Sequence, residues 1–310
     1  MTGSECRFVN GPFVAQTLGS AWPKMPPEWT GKLVRSSNRI PVLVKFIFTE
    51  QKLSVQVHPD DEYAAAHEKE AGGRGKTEMW YALRADPGAE VMVGLRPGAS
   101  KEIFMRAIQD GAAEDWLEQV PLQAGEAVFV PAGTAHTIGP GLVLCEIQEH
   151  SDLTYRVHDY NRRDTSGKSR ELHVEKALDV IRFGEQRGGK IAPVRLERSG
   201  KAETYFAACR YFAAMKWEFS KRVSAVTSLE HFDLLIFLEG RGSIRWGSER
   251  LEYAPMQTWM LPAALGAYDV APDSSTSLLR AYVPGDLDEF ARELTEHGVP
   301  QAALRGLVHR

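Results

Sequence analysis

The sequence of 310 residues contains few cysteines and has no long apolar run. Cys6, Cys145 and Cys209 stand far apart, so their spacing predicts neither a disulfide framework nor a cysteine-type zinc site. The apolar run at residues 40–48 contains a lysine and is too short to span a bilayer. The N-terminus shows no basic stretch followed by an apolar core. These absences predict a cytoplasmic protein without a membrane partner.

Neither sign of charge dominates the chain. The sequence has 37 Lys and Arg residues against 41 Asp and Glu residues, and its net charge is -4. This balance excludes a general surface for nucleic acid or for an anionic membrane, because such a surface needs an excess of positive charge. Any site that binds an anion must therefore be a local basic pocket.

Short strand-like segments separated by Gly and Pro make up most of the sequence. Segments rich in apolar and β-branched residues predict a first block of strands at 42–48, 53–58, 78–83, 90–95, 126–130, 137–138 and 142–148. Helical spacing predicts helices at 59–70 and 101–120. A second block has strands at 211–219, 233–239, 242–246 and 258–262. This pattern indicates a mainly β fold of the sandwich or jelly-roll class.

The two blocks resemble each other weakly, which indicates two related barrels. Residues 125–132 are similar to residues 254–263, and a tight turn and a further strand follow each segment. The first forty residues have no steady period and predict a covering segment with one or two short strands. We predict three regions: an N-terminal catalytic barrel at 1–170 with a helical insertion at about 99–120, a helical linker at 171–190, and a metal-free barrel at 191–310 with a last helix at 287–297.

Four residues of the first block are candidate metal ligands: Gln56, His58, Glu78 and His136. Gln56 and His58 lie two residues apart on one face of a predicted strand. A barrel brings distant positions onto one inner wall, and two imidazoles, a carboxylate and an amide suit zinc or a similar divalent cation. Taken singly, each residue also fits a structural role, such as a hydrogen-bonded histidine or a solvated carboxylate.

The second block lacks the counterparts of these candidates. When Pro262 is aligned with Pro131, Ala267 takes the place of His136, and no Gln-x-His string precedes it. The sequence therefore predicts a single metal ion, held in the first barrel.

Four strings of the first block, in order, carry a resemblance to a known family. They are LSVQVHPDD at 53–61, GKTEMWY at 75–81, VPAGTAH at 130–136 and EIQEHSDLTYRVHDY at 146–160. The chain resembles the type I mannose-6-phosphate isomerases, and it is most similar to their short bacterial form with two cupin barrels. The resemblance covers residues 10–161 well and the C-terminal half more faintly.

The resemblance implies an isomerase that interconverts mannose 6-phosphate and fructose 6-phosphate with one bound Zn2+, although other divalent metals suit the same ligands. It implies metal ligands at Gln56, His58, Glu78 and His136, and a sugar-phosphate pocket lined by Lys45, Ser54, Lys76, Glu146 and Arg156. Lys76, Glu146 and Arg156 are the expected catalytic residues. Glu146 is either the proton shuttle or a carboxylate that orients Arg156 or a metal-bound histidine.

Two alternatives to the isomerase remain open at this stage. One is a non-catalytic protein that binds a sugar phosphate in a cupin pocket. The other is a cupin metalloenzyme of another class, such as an iron oxygenase with two histidines and one carboxylate. The chain also departs from the family before Asn10, where family members usually carry a Trp-Gly-Gly segment and a Gly-Glu-Ser-Trp-Glu string. From this departure we expect a less complete barrel wall or mouth. The pattern predicts no oligomeric state.

Overall fold

A computed structural model describes the fold for residues 6–35, 37–70, 72–163, 166–185 and 188–310. Residues 1–5, at the start of the departing segment, lie outside this part. Contacts divide the chain into two units: Leu43–Lys190, called the first unit, and Met1–Val42 with Ile191–Arg310, called the second unit. The helices are α1 (Leu18–Ala21), α2 (Pro27–Thr30), α3 (Asp61–His67), α4 (Lys101–Gln109), α5 (Val174–Val180), α6 (Leu287–Glu296) and α7 (Gln301–Leu307).

Two five-stranded sheets form the barrel of the first unit. Its strands are β1 (Val42–Thr49), β2 (Val55–Val57), β3 (Glu78–Ala85), β4 (Glu90–Leu95), β5 (Leu117–Pro121), β6 (Ala127–Val130), β7 (His136–Ile138), β8 (Leu142–Glu149), β9 (Tyr155–His158) and β10 (Gly189–Lys190). One sheet has the order β1-β8-β3-β6-β10, and the other has the order β5-β4-β7-β2-β9. Apolar side chains of both sheets are buried, and burying this apolar surface favours folding.

The second unit repeats this plan with a longer sheet and a four-stranded sheet. Its strands are β11 (Val194–Arg198), β12 (Lys201–Cys209), β13 (Ala213–Phe219), β14 (Val223–Val226), β15 (Asp233–Glu239), β16 (Gly242–Trp246), β17 (Glu249–Tyr253), β18 (Thr258–Leu261), β19 (Ala267–Pro272), β20 (Thr276–Tyr282) and β21 (Val308–His309). The order β13-β20-β15-β18 repeats β1-β8-β3-β6 of the first unit. The predicted mainly β fold with two cupin barrels and a few helices is confirmed.

Residues before the first barrel group with the second unit, whereas we predicted a domain at 1–170. The Lys32 N–H donates to the Leu229 carbonyl at 3.1 Å, and the Phe232 N–H donates to the Thr30 carbonyl at 3.2 Å. The Trp22 ring packs edge-on against the Phe232 ring, with 5.5 Å between the centroids. These contacts explain the grouping. The functional division into 1–170, 171–190 and 191–310 stays a prediction.

The structure corrects the prediction of one long helix at 101–120. α4 begins at the N-cap Ser100, whose Oγ accepts from the Ile103 N–H at 3.2 Å, and it ends at Gln109. Gly111 has φ 72°, a left-handed conformation that ends helices, and a short 3-10 turn then leads into β5. The apolar residues beyond Gly111 therefore belong to other elements.

The strands predicted in the first forty residues are also absent from the described part of that segment. It holds two short helices, a 3-10 turn and an isolated β-bridge between Arg7 and Thr17. The segment at 171–190, which we predict as a helical linker, contains α5. The helix predicted at 287–297 corresponds to α6. The described residues contain no helix with the length and apolar composition that crossing a bilayer requires.

A buried ion pair lies inside the second unit. The Asp233 carboxylate, which begins β15, is 3.0 Å from Nη2 of Arg280 and 3.3 Å from Nδ1 of His231. Burial alone would raise the pKa of Asp233, but the charges of Arg280 and His231 outweigh it, so the pKa lies below its usual value. Asp233 is opposite Leu261 in the ladder, as Glu78 is opposite Val130 in the first barrel.

Replacing Asp233 with asparagine is expected to lower the free energy of unfolding by about 3–5 kcal/mol at pH 7, because Arg280 would stay buried without its counter-charge. Urea denaturation measures this loss. Asp233 has a depressed pKa, so its contribution is present above the unfolded pKa of about 3.9 and is lost as the pH falls through the folded pKa. The difference between the two proteins should therefore shrink in acid.

Glu252→Gln is the matched control for this substitution. Glu252 pairs with Arg250 at 2.7 Å on the surface, where both side chains are more than half exposed. Removing an exposed pair is expected to change stability by less than about 1 kcal/mol. Equal effects of the two substitutions would contradict the account of the Asp233 pair.

Candidate metal centre

Three strands of the first barrel bring the candidate ligands together. Gln56 lies in β2 and is opposite His136, the first residue of β7. His58 directly follows β2, and Glu78 is the first residue of β3 in the facing sheet. One ligand atom each of His58, Glu78 and His136 lies within 4.8 Å of the others. All three side chains are buried, so the cluster is shielded from water.

Backbone carbonyls fix the tautomers of both histidines. Nδ1 of His58 is 2.8 Å from the Leu153 carbonyl, and Nδ1 of His136 is 2.9 Å from the Thr134 carbonyl. A carbonyl only accepts, so each Nδ1 carries the hydrogen and each Nε2 keeps its lone pair. Metal-binding histidines are typically oriented by such a bond from the other ring nitrogen.

The lone pairs of His58, Glu78 and His136 converge, and none of these three residues offers a donor to the others. Oε1 of Glu78 is 3.2 Å from Nε2 of His136 and 3.7 Å from Nε2 of His58. Nε2 of His58 and Oε1 of Glu78 have no hydrogen-bond partner among the described residues although both atoms are buried. Unsatisfied buried acceptors are costly, and a divalent cation would satisfy all three atoms. The residues therefore fit a metal ion.

Gln56 lies beside this cluster as the expected fourth donor. Its Nε2 is 3.2 Å from Nε2 of His136, and its Oε1 is 3.5 Å from Oγ of Ser54. The two ends of an amide have the same shape, so a half-turn of the amide puts Oε1 in the place of Nε2. In that orientation Gln56 presents an oxygen to the cluster.

Two lysines and a second glutamate extend the cluster towards solvent. Nζ of Lys76 is 2.7 Å from Oε2 of Glu78 and 3.5 Å from Oε1 of Glu146. The contact with Glu78 is an ion pair whose angles do not meet those of a hydrogen bond. Nζ of Lys45 is 3.6 Å from Oε2 of Glu146 and donates to Oε1 of Gln148 at 2.9 Å. Positive and negative side chains thus alternate from the buried Glu78 to the partly exposed Lys45.

Electrostatics keep the three core groups in the forms that bind a metal. Burial, together with the charge of Lys76, lowers the pKa of His58 to about 3, and burial also lowers the pKa of His136. Burial would raise the pKa of Glu78, but Lys76 and His58 outweigh it and hold that pKa well below its usual value. At neutral pH the site therefore presents two neutral imidazoles and a carboxylate.

Glu146 is in a different electrostatic environment. Burial raises its pKa to about 7, and Lys76 opposes this rise whereas Glu78 adds to it. For Lys76, burial would lower the pKa, but the carboxylates of Glu78 and Glu146 raise it. The pair thus places a firmly charged ammonium beside a carboxyl group whose pKa is near neutral pH.

Arg156 contributes a cation on the neighbouring strand. It lies in β9 opposite Gln56, so both side chains project from the same face of the sheet. Its guanidinium has no hydrogen bond or ion pair with the described residues, and its Nε is buried. A partly buried cation beside the cluster is suited to bind an anion.

Sequence comparison gives close relatives of one kind, although no model of a protein family matches the chain. A probable mannose-6-phosphate isomerase of Bacillus subtilis, GmuF, is 36% identical over 262 residues, which are 84% of this chain and 80% of that protein. The mannose-6-phosphate isomerase of Streptococcus mutans is 35% identical over 76% of this chain and 73% of its own. The chain belongs to the mannose-6-phosphate isomerase family.

Solved structures agree with this membership of the isomerase family. The mannose 6-phosphate isomerase of Bacillus subtilis has a TM-score of 0.81 and 29% identity, with 89% of this chain and 84% of that one covered. A zinc-bound mannose 6-phosphate isomerase has a TM-score of 0.72 at 17% identity, with 92% and 90% covered, and so shares the fold. The predicted resemblance to this family is confirmed.

The structure brings all the predicted site residues of this family member into one region of the first barrel. His58, Glu78 and His136 form the cluster, and the other predicted residues adjoin it: Lys45, Ser54, Gln56, Lys76, Glu146 and Arg156. Their individual roles stay predictions. Sequence reasoning missed Gln148 and Asp152, which both contact Lys45. The position of Gln148 two residues after Glu146, on the same strand face, was an available signal.

Gly75 is packed so closely that it fixes the position of Lys76. A Cβ at Gly75 would lie 2.5 Å from the Asp60 carbonyl carbon and 2.7 Å from the Pro59 carbonyl oxygen. The Lys76 N–H donates to that same Pro59 oxygen at 3.0 Å. This segment therefore has no room for a side chain at position 75.

Replacing Gly75 with alanine is expected to lower the free energy of unfolding by about 1–3 kcal/mol, because the backbone at Pro59 must shift to make room. The same shift displaces Lys76, so kcat should fall as well. Gly306→Ala is the control, since a Cβ there meets nothing within 4 Å in α7. Urea denaturation and steady-state kinetics measure both effects. A Gly75→Ala protein as stable and active as Gly306→Ala would refute this reasoning.

Proposed function

We propose that the chain interconverts mannose 6-phosphate and fructose 6-phosphate at the buried cluster around Glu78. The observation that carries this proposal is the convergence of three lone-pair atoms, on His58, Glu78 and His136, directly beside the Lys76–Glu146 pair. A cation site next to a buried carboxyl group and an ammonium is the combination that aldose–ketose isomerisation needs. Relatives named for this reaction support the assignment.

Gln56, His58, Glu78 and His136 would hold one zinc ion. Imidazole nitrogens with carboxylate and amide oxygens suit zinc, and manganese and cobalt fit the same donors. The bound cation supplies charge that stabilises the two adjacent oxygens of an enediol-like state without redox chemistry. The zinc-bound mannose 6-phosphate isomerase structure, which covers 92% of this chain, supports this choice of metal.

In this proposal Glu146 moves the proton between the two carbons of the substrate. It is a buried carboxyl group that faces the cluster without belonging to the three-residue metal set. Its carboxylate takes the proton from one carbon and returns it to the neighbouring carbon. The hydroxyl proton passes from one of the two adjacent oxygens to the other, so the carbon-bound and the oxygen-bound protons of the isomerisation both balance. Lys45 and Lys76, on either side of it, hold its two oxygens in place.

The cations around the cluster bind and orient the sugar phosphate. The Lys76 ammonium lies between Glu78 and Glu146, where it donates to a sugar hydroxyl or to the ring oxygen during ring opening. Arg156 keeps its charge at all working pH values and pairs with the phosphate or with the developing negative charge. Ser54 and Lys45 complete the contacts to the substrate.

A coupled assay on metal-stripped protein tests this function, with zinc, manganese, cobalt and iron added back one at a time. We expect turnover of mannose 6-phosphate to return with zinc and no oxygen to be consumed. Binding of the sugar phosphate without turnover under any metal would favour the non-catalytic alternative. Oxygen consumption with iron would favour a cupin metalloenzyme of another class. The hexose 6-phosphate as the small-molecule partner and the cytoplasm as the location are part of the same proposal.

A further inference from the structure

Two arginines bind one buried carboxylate beside the candidate metal centre, and a third arginine lies near them. Asp159 is only 6% exposed and accepts hydrogen bonds from Arg162 and Arg170. Arg156, whose guanidinium has no described partner, lies three residues earlier in β9 and opposite Gln56. These four residues, here called the arginine cluster, combine one carboxylate with three guanidinium groups and therefore carry an excess of positive charge. Burial lowers the pKa of Arg156, and the nearby charge of Arg170 lowers it further.

The two arginines that bind Asp159 differ in the donors that they leave open. Every nitrogen of the Arg162 guanidinium donates once: Nη1 to the Lys52 carbonyl at 2.6 Å, Nε to the Asp159 carbonyl at 3.2 Å, and Nη2 to the Asp159 carboxylate. Arg170 donates only to that carboxylate, through Nε at 2.8 Å and Nη2 at 2.5 Å. A guanidinium has five N–H donors, so Arg170 keeps three without a described partner.

The backbone that carries this cluster is held in a strained conformation. Tyr160 and Asn161 both have φ 55°, in the left-handed region that residues other than glycine rarely adopt. The Tyr160 hydroxyl donates to Glu114, and the Arg162 guanidinium stacks on the Tyr160 ring with 5.2 Å to the centroid. Strain of this kind is found at functional sites, where surrounding contacts enforce it. Asp159, which bonds Arg170, directly precedes these two residues.

We propose that Arg170 is a specificity-determining residue that binds the phosphate of the substrate together with Arg156, while Asp159 holds its guanidinium in place. This inference rests on the proposed function for the identity of the substrate. A hexose 6-phosphate carries its phosphate at the far end from the two carbons that react. With those carbons at the metal cluster, the proposal puts the phosphate beyond Gln56, where Arg156 lies opposite it in the ladder. A planar guanidinium with open N–H groups suits phosphate oxygens.

The proposal predicts an effect on binding and none on the chemical step. Replacing Arg170 with methionine should raise KM for mannose 6-phosphate about tenfold and leave kcat within about twofold, since one charge-assisted pair is lost. Arg170→Lys keeps the charge but loses the two-point contact with Asp159, so its KM should lie between those of the unmodified protein and Arg170→Met. Turnover of free mannose, which lacks the phosphate, should be the same in all three proteins.

Titration of the zinc-loaded proteins with inorganic phosphate in a calorimeter gives a readout that does not need turnover. The Kd for phosphate should rise about tenfold in Arg170→Met. Arg84→Met is the matched control, because Arg84 also pairs with one carboxylate, Asp86 at 2.9 Å, but lies at the other end of β3 from Glu78. If Arg170→Met has a clearly lower melting temperature than the unmodified protein, Arg170→Gln takes its place. Glutamine keeps a hydrogen-bond donor towards Asp159 but lacks the charge.

The outcomes separate this inference from the proposed function. A chain that never turns over mannose 6-phosphate refutes the function, while the phosphate titration still tests Arg170. An active chain whose KM and phosphate Kd are unchanged in both Arg170→Met and Arg170→Gln refutes the role of Arg170 alone. Equal losses for mannose 6-phosphate and free mannose would also overturn it, since they would show a structural role.

Discussion

Replacing His136 with alanine is expected to lower kcat/KM for mannose 6-phosphate by about 1,000-fold, which corresponds to several kcal/mol of lost charge stabilisation. Nε2 of His136 is one of three lone-pair atoms that face each other in the buried cluster, and alanine offers no ligand in its place. The remaining donors should bind zinc too weakly to keep it through dialysis. Steady-state kinetics and metal analysis of the same preparation measure the two losses together.

The control for this substitution is His67→Ala. His67 is an exposed residue at the end of α3, where Nδ1 lies 3.0 Å from the Tyr63 carbonyl. The His67→Ala substitution removes an imidazole that lies outside the metal cluster. Zinc content and kcat/KM should therefore stay close to those of the unmodified protein. A His136→Ala protein that keeps both its zinc and its activity would rule out this residue as a ligand.

Glu146→Gln is expected to lower kcat by about 100-fold or more, because an amide of the same shape cannot take up and return a proton. KM should change little, since the amide has the size of the carboxyl group and keeps one oxygen that can face Lys45 or Lys76. Zinc content should also be unchanged, because Glu146 lies outside the three-residue set that converges on the metal site. Rapid-mixing or steady-state kinetics with metal analysis separates this chemical effect from metal loss.

Two further results decide between the alternatives for Glu146. Glu118→Gln, an identical change at an exposed position of β5, should leave kcat unaltered. If Glu146 only orients Arg156 or a histidine, Glu146→Gln should instead raise KM or weaken zinc binding by about 10–100-fold, the usual scale for a lost orienting contact, and kcat of the zinc-loaded protein should change little. That pattern would assign the proton transfer to another group.

The cluster could be predicted from the sequence because its residues lie at regular positions in short strands. The alternation of residues 53–58 placed Gln56 and His58 on one face, and the structure puts both beside His136. Lys45, Lys76 and Glu146 were predicted as site residues from the family resemblance alone. The structure shows ion pairs that hold these three side chains next to one another. Local patterns were sufficient here because each residue's direction is set by its own strand.

Features that depend on tertiary contacts could not be predicted from the sequence. β12 is buried along its whole length, so the apolar and polar alternation that marks a strand is absent from it. Trp116 and Leu117 matched a helical period but follow Gly111, which ends α4. The pairing of Asp159 with Arg170 crosses a loop, and no spacing rule predicts such a contact.

The central claim is that His58, Glu78 and His136 converge on one metal ion in the first barrel. A crystal structure of zinc-loaded protein, with anomalous scattering recorded on both sides of the zinc edge, tests it most directly. We predict one anomalous peak per chain, enclosed by these three side chains and the Gln56 amide. A fully occupied zinc peak elsewhere, with the three side chains turned away from one another, would contradict the account.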